Sequence, residues 1–286
     1  MAINWFPGHM HKARKKIKEA MPEIDLVIEV MDARIPYSSE NPLISELRQN
    51  RPCIKILNKS DLADPEATKM WQQYLEQEHG VKALALTSTE RGQVRKIPDI
   101  CRKLVPERGK GIKSIRTMIL GIPNVGKSTI INILAGKNIA KTGNEPAVTK
   151  RQQRIDLGNG IVLSDTPGFL WPKIHDENSG YRLAVSGAIK NTAVEFEDVA
   201  LYAAHYFLAT YPELLIKRYK LKQLPETDVQ LLKEIGRKRG GLRAGGRIDM
   251  HKAAEVLLHD YRSGALGRIS LERPEDIPPV EPPNED

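Results

Sequence analysis

IRTMILGIPNVGKSTIINILAG, residues 115–136, is the stretch that decides the fold. It begins with an apolar, β-branched run typical of a buried strand and ends with the apolar spacing of a helix. Between the two, Gly121 to Ser128 fits the pattern Gly-x-x-x-x-Gly-Lys-Ser. The glycines let backbone N–H groups approach phosphate oxygens, and the N-terminus of the helix adds positive potential. The stretch predicts an α/β fold with a phosphate-binding loop.

Side chains in this loop are expected to divide the work of holding a nucleotide. Lys127 reaches the β and γ phosphates as a catalytic lysine, and the Ser128 hydroxyl ligates Mg²⁺. The Asn124 side-chain oxygen could coordinate K⁺ beside the α and γ phosphates, or its amide could simply stabilise the loop. The predicted nucleotide-binding residues here are Asn124, Val125, Gly126, Lys127, Ser128 and Thr129.

A second motif, DTPG at 165–168, ends the strand-like run GIVLSD. Asp165 is expected to meet Mg²⁺ through a water molecule, and Gly168 to offer its N–H to the γ-phosphate. Thr149, within PAVTK between the two motifs, is expected to close over Mg²⁺ as a metal-binding and catalytic threonine. The alternative for Thr149 is an ordinary solvated loop residue.

NKSD at 58–61 indicates which base the bound nucleotide carries. It follows the strand-like run PCIKIL. Asp61 can accept hydrogen bonds from guanine N1–H and its 2-amino group, a donor pair that adenine lacks. The Lys59 stem can lie along the ring, and Asn58 can tie the loop together. A site built on such groups rejects a ligand that leaves them unpaired, which argues against ATP. The full predicted set for the base is Asn58, Lys59, Ser60, Asp61, Ser88 and Thr89, the last two from LTSTERG at 86–92.

The order of these motifs is unusual. In most GTPases the phosphate loop precedes the NKxD motif, whereas here NKSD comes first and DTPG last. Cutting the chain before the fourth strand and joining the old termini gives this order without disturbing the sheet. The predicted fold is therefore a circularly permuted P-loop GTPase domain with a parallel-rich sheet flanked by helices. The runs 25–33, 52–61 and 81–88 are expected to be parallel strands buried on both faces, separated by helices such as 67–77.

Changes in residue pattern divide the chain into four predicted parts. Residues 1–22 form a basic helical segment with Ala13, Ile17 and Met21 on one face. Residues 23–175 form the GTPase domain, and 176–272 form a smaller all-helical, RNA-binding domain. The aromatic-rich run LYAAHYFLATY in that domain is expected to be helical core and not a stacking platform for bases. Residues 273–286, acidic and rich in proline, are expected to be a disordered tail.

Composition narrows the class of protein and of partner. The formal net charge is +8, and aromatic residues make up 5% of the 286 residues. A polyanion bound through phosphate contacts is therefore favoured over one bound by base stacking. The start of the chain lacks the layout of a secretory signal, and no apolar run is long enough to span a membrane, so a cytoplasmic protein is expected. It is also expected to be a monomer. Cys53 and Cys101 have no CxxC spacing and are expected to be buried, reduced thiols.

Two basic regions of the chain are candidates for contact with RNA, the polyanion expected here. One is the N-terminal segment, and the other is GRKRGGLRAGGR at 236–247, whose glycines allow close approach to phosphates. A simple solvated face is the alternative for each of them. The predicted contacts are Lys12, Arg14, Lys15, Lys16, Arg237, Lys238, Arg239, Arg243 and Arg247.

Taken together, the motifs resemble those of the YlqF/RbgA family of circularly permuted GTPases, the ribosome biogenesis GTPase A group. The resemblance spans residues 1 to about 272 and includes WFPGHM at 5–10 and MDARIP at 31–36. It implies a factor that binds the maturing large (50S) ribosomal subunit, through rRNA and ribosomal proteins, and hydrolyses GTP to GDP there to complete late assembly.

Many GTPases place a glutamine after this motif, and its side chain orients the water that attacks the γ-phosphate. Here Phe169 and Leu170 follow DTPG, so that glutamine is missing. Hydrolysis is therefore expected to be slow for the protein alone and faster on the ribosomal subunit. His9 is the candidate catalytic group, since imidazole can orient or activate water near neutral pH. The alternative is an ordinary histidine that contacts the domain or RNA. Arg34 in MDARIP could contact nucleotide or hold its own loop.

Two other classes of function compete with this interpretation. One is a regulatory GTPase that acts on a protein effector without binding the ribosome. The other is an RNA-binding protein that needs no nucleotide, which the intact Lys127, Ser128 and Asp61 argue against.

Overall fold

Strands form one mixed sheet in the computed structural model, which describes residues 15, 17–109, 113–140, 153–165, 177–189 and 195–277. The strands are β1 (Leu26–Asp32), β2 (Cys53–Asn58), β3 (Val81–Ala85), β4 (Ile115–Gly121), β5 (Gln153–Asp156) and β6 (Ile161–Asp165). Their order across the sheet is β3-β2-β1-β4-β6-β5. All neighbours pair in parallel except β5, which is antiparallel to β6. The predicted parallel-rich sheet is confirmed.

Helices cover the sheet and make up most of the C-terminal region. Those connecting the strands are α1 (Pro36–Ser39), α2 (Pro42–Arg48), α3 (Pro65–Leu75), α4 (Arg91–Val94), α5 (Ile97–Leu104), α6 (Pro106–Gly109) and α7 (Lys127–Ala135). Those that follow the sheet are α8 (Glu177–Ser186), α9 (Phe196–Thr210), α10 (Pro212–Tyr219), α11 (Asp228–Lys238) and α12 (Met250–Ser263). No described helix has both the length and the apolarity needed to cross a membrane.

Burial in the sheet follows strand position. Every residue of β1 and β2 is buried, as their continuous apolar runs predict for central parallel strands. The same expectation for β3 was wrong, because within the described residues β3 lies at the sheet edge, where it pairs with β2, and it leaves Lys82 exposed. An edge strand keeps one side open to solvent, which its sequence alone did not reveal.

The permuted order leaves the nucleotide loops together in space. Strands β1, β2, β4 and β6 run parallel, so their carboxyl ends reach the same edge of the sheet. These ends are Asp32, Asn58, Gly121 and Asp165. Ligands of open parallel sheets bind at this edge.

The sheet and the C-terminal helices share one hydrophobic core, which includes Val30 of β1, Phe207 of α9 and Leu257 of α12. In the aromatic-rich run, Phe207 is fully buried, and the Tyr202 ring stacks on that of Tyr181 with centroids 4.9 Å apart. This confirms the interpretation of that run as helical core. Both cysteines are buried thiols without a disulfide, as expected.

At the N-terminal end, the described part of the basic segment packs on the sheet. Residues 17–20 are helical, and a 3₁₀ turn follows at Met21–Glu23. Ile17 and Met21, the predicted apolar face, are buried in a cluster with Val27 and Met118. Ala13 lies outside the described residues.

After α12 the chain returns across the predicted GTPase domain. The Trp71 Nε1–H donates to the Glu272 carbonyl oxygen at 3.1 Å. The disordered tail predicted from residue 273 was wrong for 273–277. Pro274–Asp276 form a 3₁₀ turn, and Ile277 packs against the cluster that contains Trp71. That apolar contact offsets the entropy of ordering these residues. Residues 278–286 lie outside the described part.

Candidate nucleotide-binding site

The phosphate loop joins β4 to α7, as the glycine pattern predicts. Gly126 is the N-cap of α7 and adopts φ +91°, a left-handed conformation that favours glycine. A Cβ on Gly126 would collide with the Asn58 amide, and one on Gly121 would lie 2.5 Å from the Val30 carbonyl oxygen. Both positions therefore need glycine.

Lys127 and Asp165 meet inside this edge. Lys127 Nζ lies 2.8 Å from Asp165 Oδ1, and both side chains are buried. Burial lowers the pKa of Lys127, although the Asp165 carboxylate acts in the opposite direction. This ion pair joins the lysine of GKS to Asp165, the first residue of DTPG; residues 166–168 lie outside the described part of the chain.

The remaining carboxylate oxygen indicates what this centre can hold. Asp165 Oδ2 is buried and has no hydrogen-bond partner among the described residues. The Asp165 carboxylate and the hydroxyl of the half-buried Ser128 both offer oxygen, the ligand that a hard divalent cation prefers. The residues present therefore suit Mg²⁺.

Asn58 joins three loops of the site. Its Nδ2 donates to the Val125 carbonyl oxygen at 2.6 Å, and its Oδ1 accepts from the Ser88 N–H at 3.1 Å. Asn58 itself is fully buried. One amide thus locks the NKSD loop to the phosphate loop and to the TST segment.

Lys59 is anchored by an aspartate that lies outside the predicted nucleotide-binding motifs. Lys59 Nζ lies 2.8 Å from Asp32 Oδ2, at the end of β1. Burial alone would raise the pKa of Asp32, but the charges of Arg34 and Lys59 hold it well below its usual value. Asp32 and Arg34 lie two residues apart in MDARIP, and this spacing of opposite charges is the sequence signal that could have drawn attention to Asp32.

Arg34 supports its own loop instead of reaching for nucleotide. It is 1% exposed and donates from Nε and Nη2 to the two Asp32 carboxylate oxygens at 2.9 and 2.8 Å. Its guanidinium lies 4.8 Å from the centroid of the Tyr261 ring in α12. The sequence left two roles open for Arg34, contact with nucleotide or support of its own loop, and these contacts favour support of the loop.

Beside the loops lies a cleft of about 910 Å³, lined in part by Ser88, Thr89 and Thr129. Its volume falls within the range of small-molecule sites. Asp61 is exposed at the end of the NKSD loop. The Ser60 N–H donates to the Leu86 carbonyl oxygen at 3.2 Å, which keeps the loop close to the TST segment.

Asn124 contacts the C-terminal region. It adopts φ +61°, and its Nδ2 donates to the Gly187 carbonyl oxygen at 2.9 Å, just beyond α8. This bond gives Asn124 the loop-stabilising role considered from sequence. Coordination of K⁺ by its side-chain oxygen stays a prediction.

Several predicted site residues lie outside the described residues. For the nucleotide and metal they are His9, Thr149 and Gly168, and for RNA they are Lys12, Arg14 and Lys16. Their roles stay predictions. Lys15 is described, and its side chain is 80% exposed.

The basic run 236–247 forms the end of α11 and a turn before α12. Residues Leu242 and Ile248 pair across it as an antiparallel bridge. Arg243 pairs with Asp249 and Arg237 with Glu234, whereas Arg239 lies 5.9 Å from the centroid of the Tyr219 ring. Arg247 and Lys238 are exposed as well. The turn therefore displays positive charge on a defined scaffold.

Comparison with known proteins places these features in context. A family model described as "50S ribosome-binding GTPase" matches residues 116–224. Ribosome biogenesis GTPase A of Bacillus pumilus is 48% identical over 282 residues, 96% of this chain and 100% of the relative. The Thermotoga maritima protein of that name is 32% identical over 279 residues, 98% and 97% of the two chains.

Solved structures agree with those sequences. The GNP-bound structure of YlqF from T. maritima has a TM-score of 0.66 at 29% identity and covers 93% of this chain and 100% of its own. The GDP-bound structure of YlqF has the same TM-score at 28% identity, covering 91% and 100%. The likeness therefore extends over both the sheet and the C-terminal helices.

Proposed function

Because this chain belongs to the ribosome biogenesis GTPase A family and is a GTP hydrolase with circularly permuted motifs, we propose that it binds the maturing large ribosomal subunit and hydrolyses GTP there to complete late assembly. It acts in the cytoplasm as a monomer. Its partners are rRNA and ribosomal proteins, and GTP and GDP are its substrate and product.

The main support for nucleotide binding at this site comes from the hydrogen bonds of Asn58. This buried amide bonds both Val125 of the phosphate loop and Ser88 of the TST segment. A purine read by Asp61 and a phosphate tail held by Lys127 can then belong to one molecule. Asp61 selects guanine over adenine because it accepts from the N1–H and the 2-amino group.

The protein's own residues account for most of the phosphate chemistry. Lys127 neutralises charge on the β and γ phosphates, and the N-terminus of α7 stabilises the same anion. Ser128, Thr149 and Asp165 would hold Mg²⁺, Asp165 through water. When bound, that ion neutralises charge that develops on the phosphate oxygens. Gly168 would donate its N–H to the γ-phosphate.

Control of the attacking water is assigned to His9. The basic segment behind His9 would dock on rRNA and bring the imidazole to the nucleotide, so hydrolysis by the protein alone is expected to be slow. Loss of ribosome-stimulated turnover in His9→Ala, with nucleotide affinity retained, is the expected result. Intact stimulated turnover would contradict the assignment.

The Asn124 side-chain oxygen would hold K⁺ at the phosphates. Faster turnover in potassium than in sodium is expected, and Asn124→Ala should remove the difference. Equal turnover of the unmodified protein in the two salts would exclude this role.

Ribosome binding is assigned to the two basic regions. Only 5% of the residues are aromatic, so arginine and lysine contacts with phosphates, and not stacking on bases, carry the binding. The net charge of +8 supports an anionic partner of this kind.

A sedimentation experiment tests the proposal against a regulatory GTPase that acts on a protein effector. The protein is mixed with large-subunit precursors and either GDP or a non-hydrolysable GTP analogue, then separated on a sucrose gradient. Comigration with the precursor in the presence of the analogue is expected. Protein that stays at the top under both conditions would favour the regulatory role.

A further inference from the structure

The NKSD loop is gripped by the segment that follows α12. Arg268 donates from Nη2 to the Ser60 carbonyl oxygen and from Nε to the Ala63 carbonyl oxygen, both at 2.9 Å. The Ile269 N–H donates to the Leu62 carbonyl oxygen, also at 2.9 Å. Three carbonyls of the loop and its continuation are therefore held by two adjacent residues, more than 200 positions away in sequence.

A second grip acts beneath Lys59. Asp32 accepts from Lys59 Nζ on one side and from the Arg34 guanidinium on the other. The Arg34 guanidinium lies over the ring of Tyr261, and the Arg34 carbonyl oxygen accepts from the Leu271 N–H at 2.8 Å. A continuous chain of contacts thus runs from α12 to the lysine of the NKSD motif.

The loop needs outside support because its backbone is not relaxed. Lys59 adopts φ +60°, a left-handed conformation that side chains other than glycine and asparagine rarely take. Such a conformation persists where surrounding contacts over-determine it. Here those contacts come from Asp32 and from Arg268.

We propose that Arg268 and the Arg34–Tyr261 pair are positioning residues that hold residues 58–61 in the geometry that binds guanine, and so set the affinity for GTP and GDP. This inference rests on the proposed assignment of Asp61 to guanine. Arg34 bonds Asp32, and Arg268 bonds the carbonyl oxygens of Ser60 and Ala63. Lys127 and Asp165, to which the proposed function assigns the phosphates and the metal, pair with each other.

That separation distinguishes positioning from mere stability. Loosening the loop weakens binding of the base and raises KM, while kcat at saturating GTP stays nearly constant. A variant that only unfolds part of the sample would lower the active fraction, and therefore the apparent kcat, at unchanged KM.

Arg268→Gln is the first test, because Arg268 is exposed and its replacement leaves no buried charge. We expect KM for GTP, and the dissociation rate of a fluorescent GDP derivative, to rise about three- to tenfold, with kcat within about twofold. Arg102→Gln is the matched control. Arg102 also donates to a distant carbonyl, that of Asn159, but at the opposite end of the sheet.

The second test replaces the aromatic face. Tyr261→Leu keeps an apolar side chain but removes the ring under Arg34, and a rise of similar size in KM is expected. Tyr261→Phe keeps the ring and deletes a hydroxyl that has no hydrogen-bond partner among the described residues. This conservative variant should restore the KM of the unmodified protein.

Asp61→Asn separates this inference from the guanine assignment itself. An asparagine amide can donate to the C2 carbonyl of xanthine, so preference should move from GDP to xanthosine diphosphate. If it moves while KM is unchanged in both Arg268→Gln and Tyr261→Leu, the positioning role is wrong and the guanine assignment stands. If the preference does not move, the guanine assignment fails and this inference fails with it.

Discussion

Asn58 Nδ2 lies 2.6 Å from the carbonyl oxygen of Val125, so the motif proposed to read the base is bonded directly to the loop proposed to hold the phosphates. The two residues are 67 positions apart in sequence. Asn58 ends β2 and Val125 follows β4, and these strands are not neighbours in the sheet. This hydrogen bond therefore joins, in one site, two motifs whose order along the chain is permuted.

Asn58→Ala should uncouple the two loops. It leaves the Val125 carbonyl oxygen and the Ser88 N–H without their partner in a buried setting, which costs roughly 1–3 kcal/mol for each group. We expect a lower urea midpoint and weaker binding of both GDP and GTP, measured by denaturation and calorimetry. Asn159→Ala, in an exposed turn, is the control. Unchanged affinity in a folded Asn58→Ala protein would contradict the coupling.

Asp165→Asn should separate metal affinity from nucleotide affinity. The amide keeps the shape of the side chain but removes the charge that would face Mg²⁺ through water. Loss of such an outer-shell partner typically lowers metal affinity about 10- to 100-fold. We therefore expect a higher Mg²⁺ concentration for half-maximal turnover. GDP binding in excess chelator should change little, and an unaltered Mg²⁺ titration would remove Asp165 from the metal site.

Glu29→Gln should change how stability depends on pH. Burial, with the nearby Glu40 carboxylate, raises the pKa of Glu29 from 4.5 to about 8, although Lys55 opposes the shift. Between these values the folded state keeps a proton that the unfolded state has lost. Stability of the unmodified protein therefore falls as pH rises from about 4.5 to 8.

The glutamine amide cannot ionise, so the Glu29→Gln variant should lose less stability than the unmodified protein over this range. Urea denaturation at pH 5.5 and at pH 8, conditions chosen within this pH range and at its upper end, measures the difference. Glu66→Gln on the exposed surface of α3 is the control. Parallel pH profiles for the Glu29→Gln variant and the unmodified protein would show that Glu29 is ionised in the folded state throughout.

Arg237→Gln combined with Lys238→Gln should weaken binding to the large subunit. Arg239 is left intact because it packs near the Tyr219 ring. Each lost phosphate contact should reduce the slope of log affinity against log salt by roughly 0.7–0.9. As the control, Lys69→Gln with Lys103→Gln removes the same charge from α3 and α5. Equal affinities for the two double variants would show that the turn is only a solvated face.

Short-range pattern was enough to predict most elements of the sheet, whereas the nucleotide contacts predicted for the loops stay predictions. The apolar runs predicted β1, β2 and β4, and the helix expected at 67–77 is present as Pro65–Leu75. The exposed side of β3 was not predictable, because strand order depends on pairing between distant segments. The order at 273–277 depends likewise on Ile277 meeting the cluster around Trp71.

The sequence by itself determined the chemistry proposed for the site, since the roles predicted for Gly126, Lys127 and Asp61 follow from backbone freedom, charge and hydrogen-bonding pattern. Only the tertiary structure decided the role of Arg34 and revealed Tyr261 and Arg268. Their contacts join residues more than 200 positions apart, and such contacts follow from how helices pack on a sheet, not from any local pattern. The sequence shows that an arginine stands at positions 34 and 268, but the fold determines which groups each of them contacts.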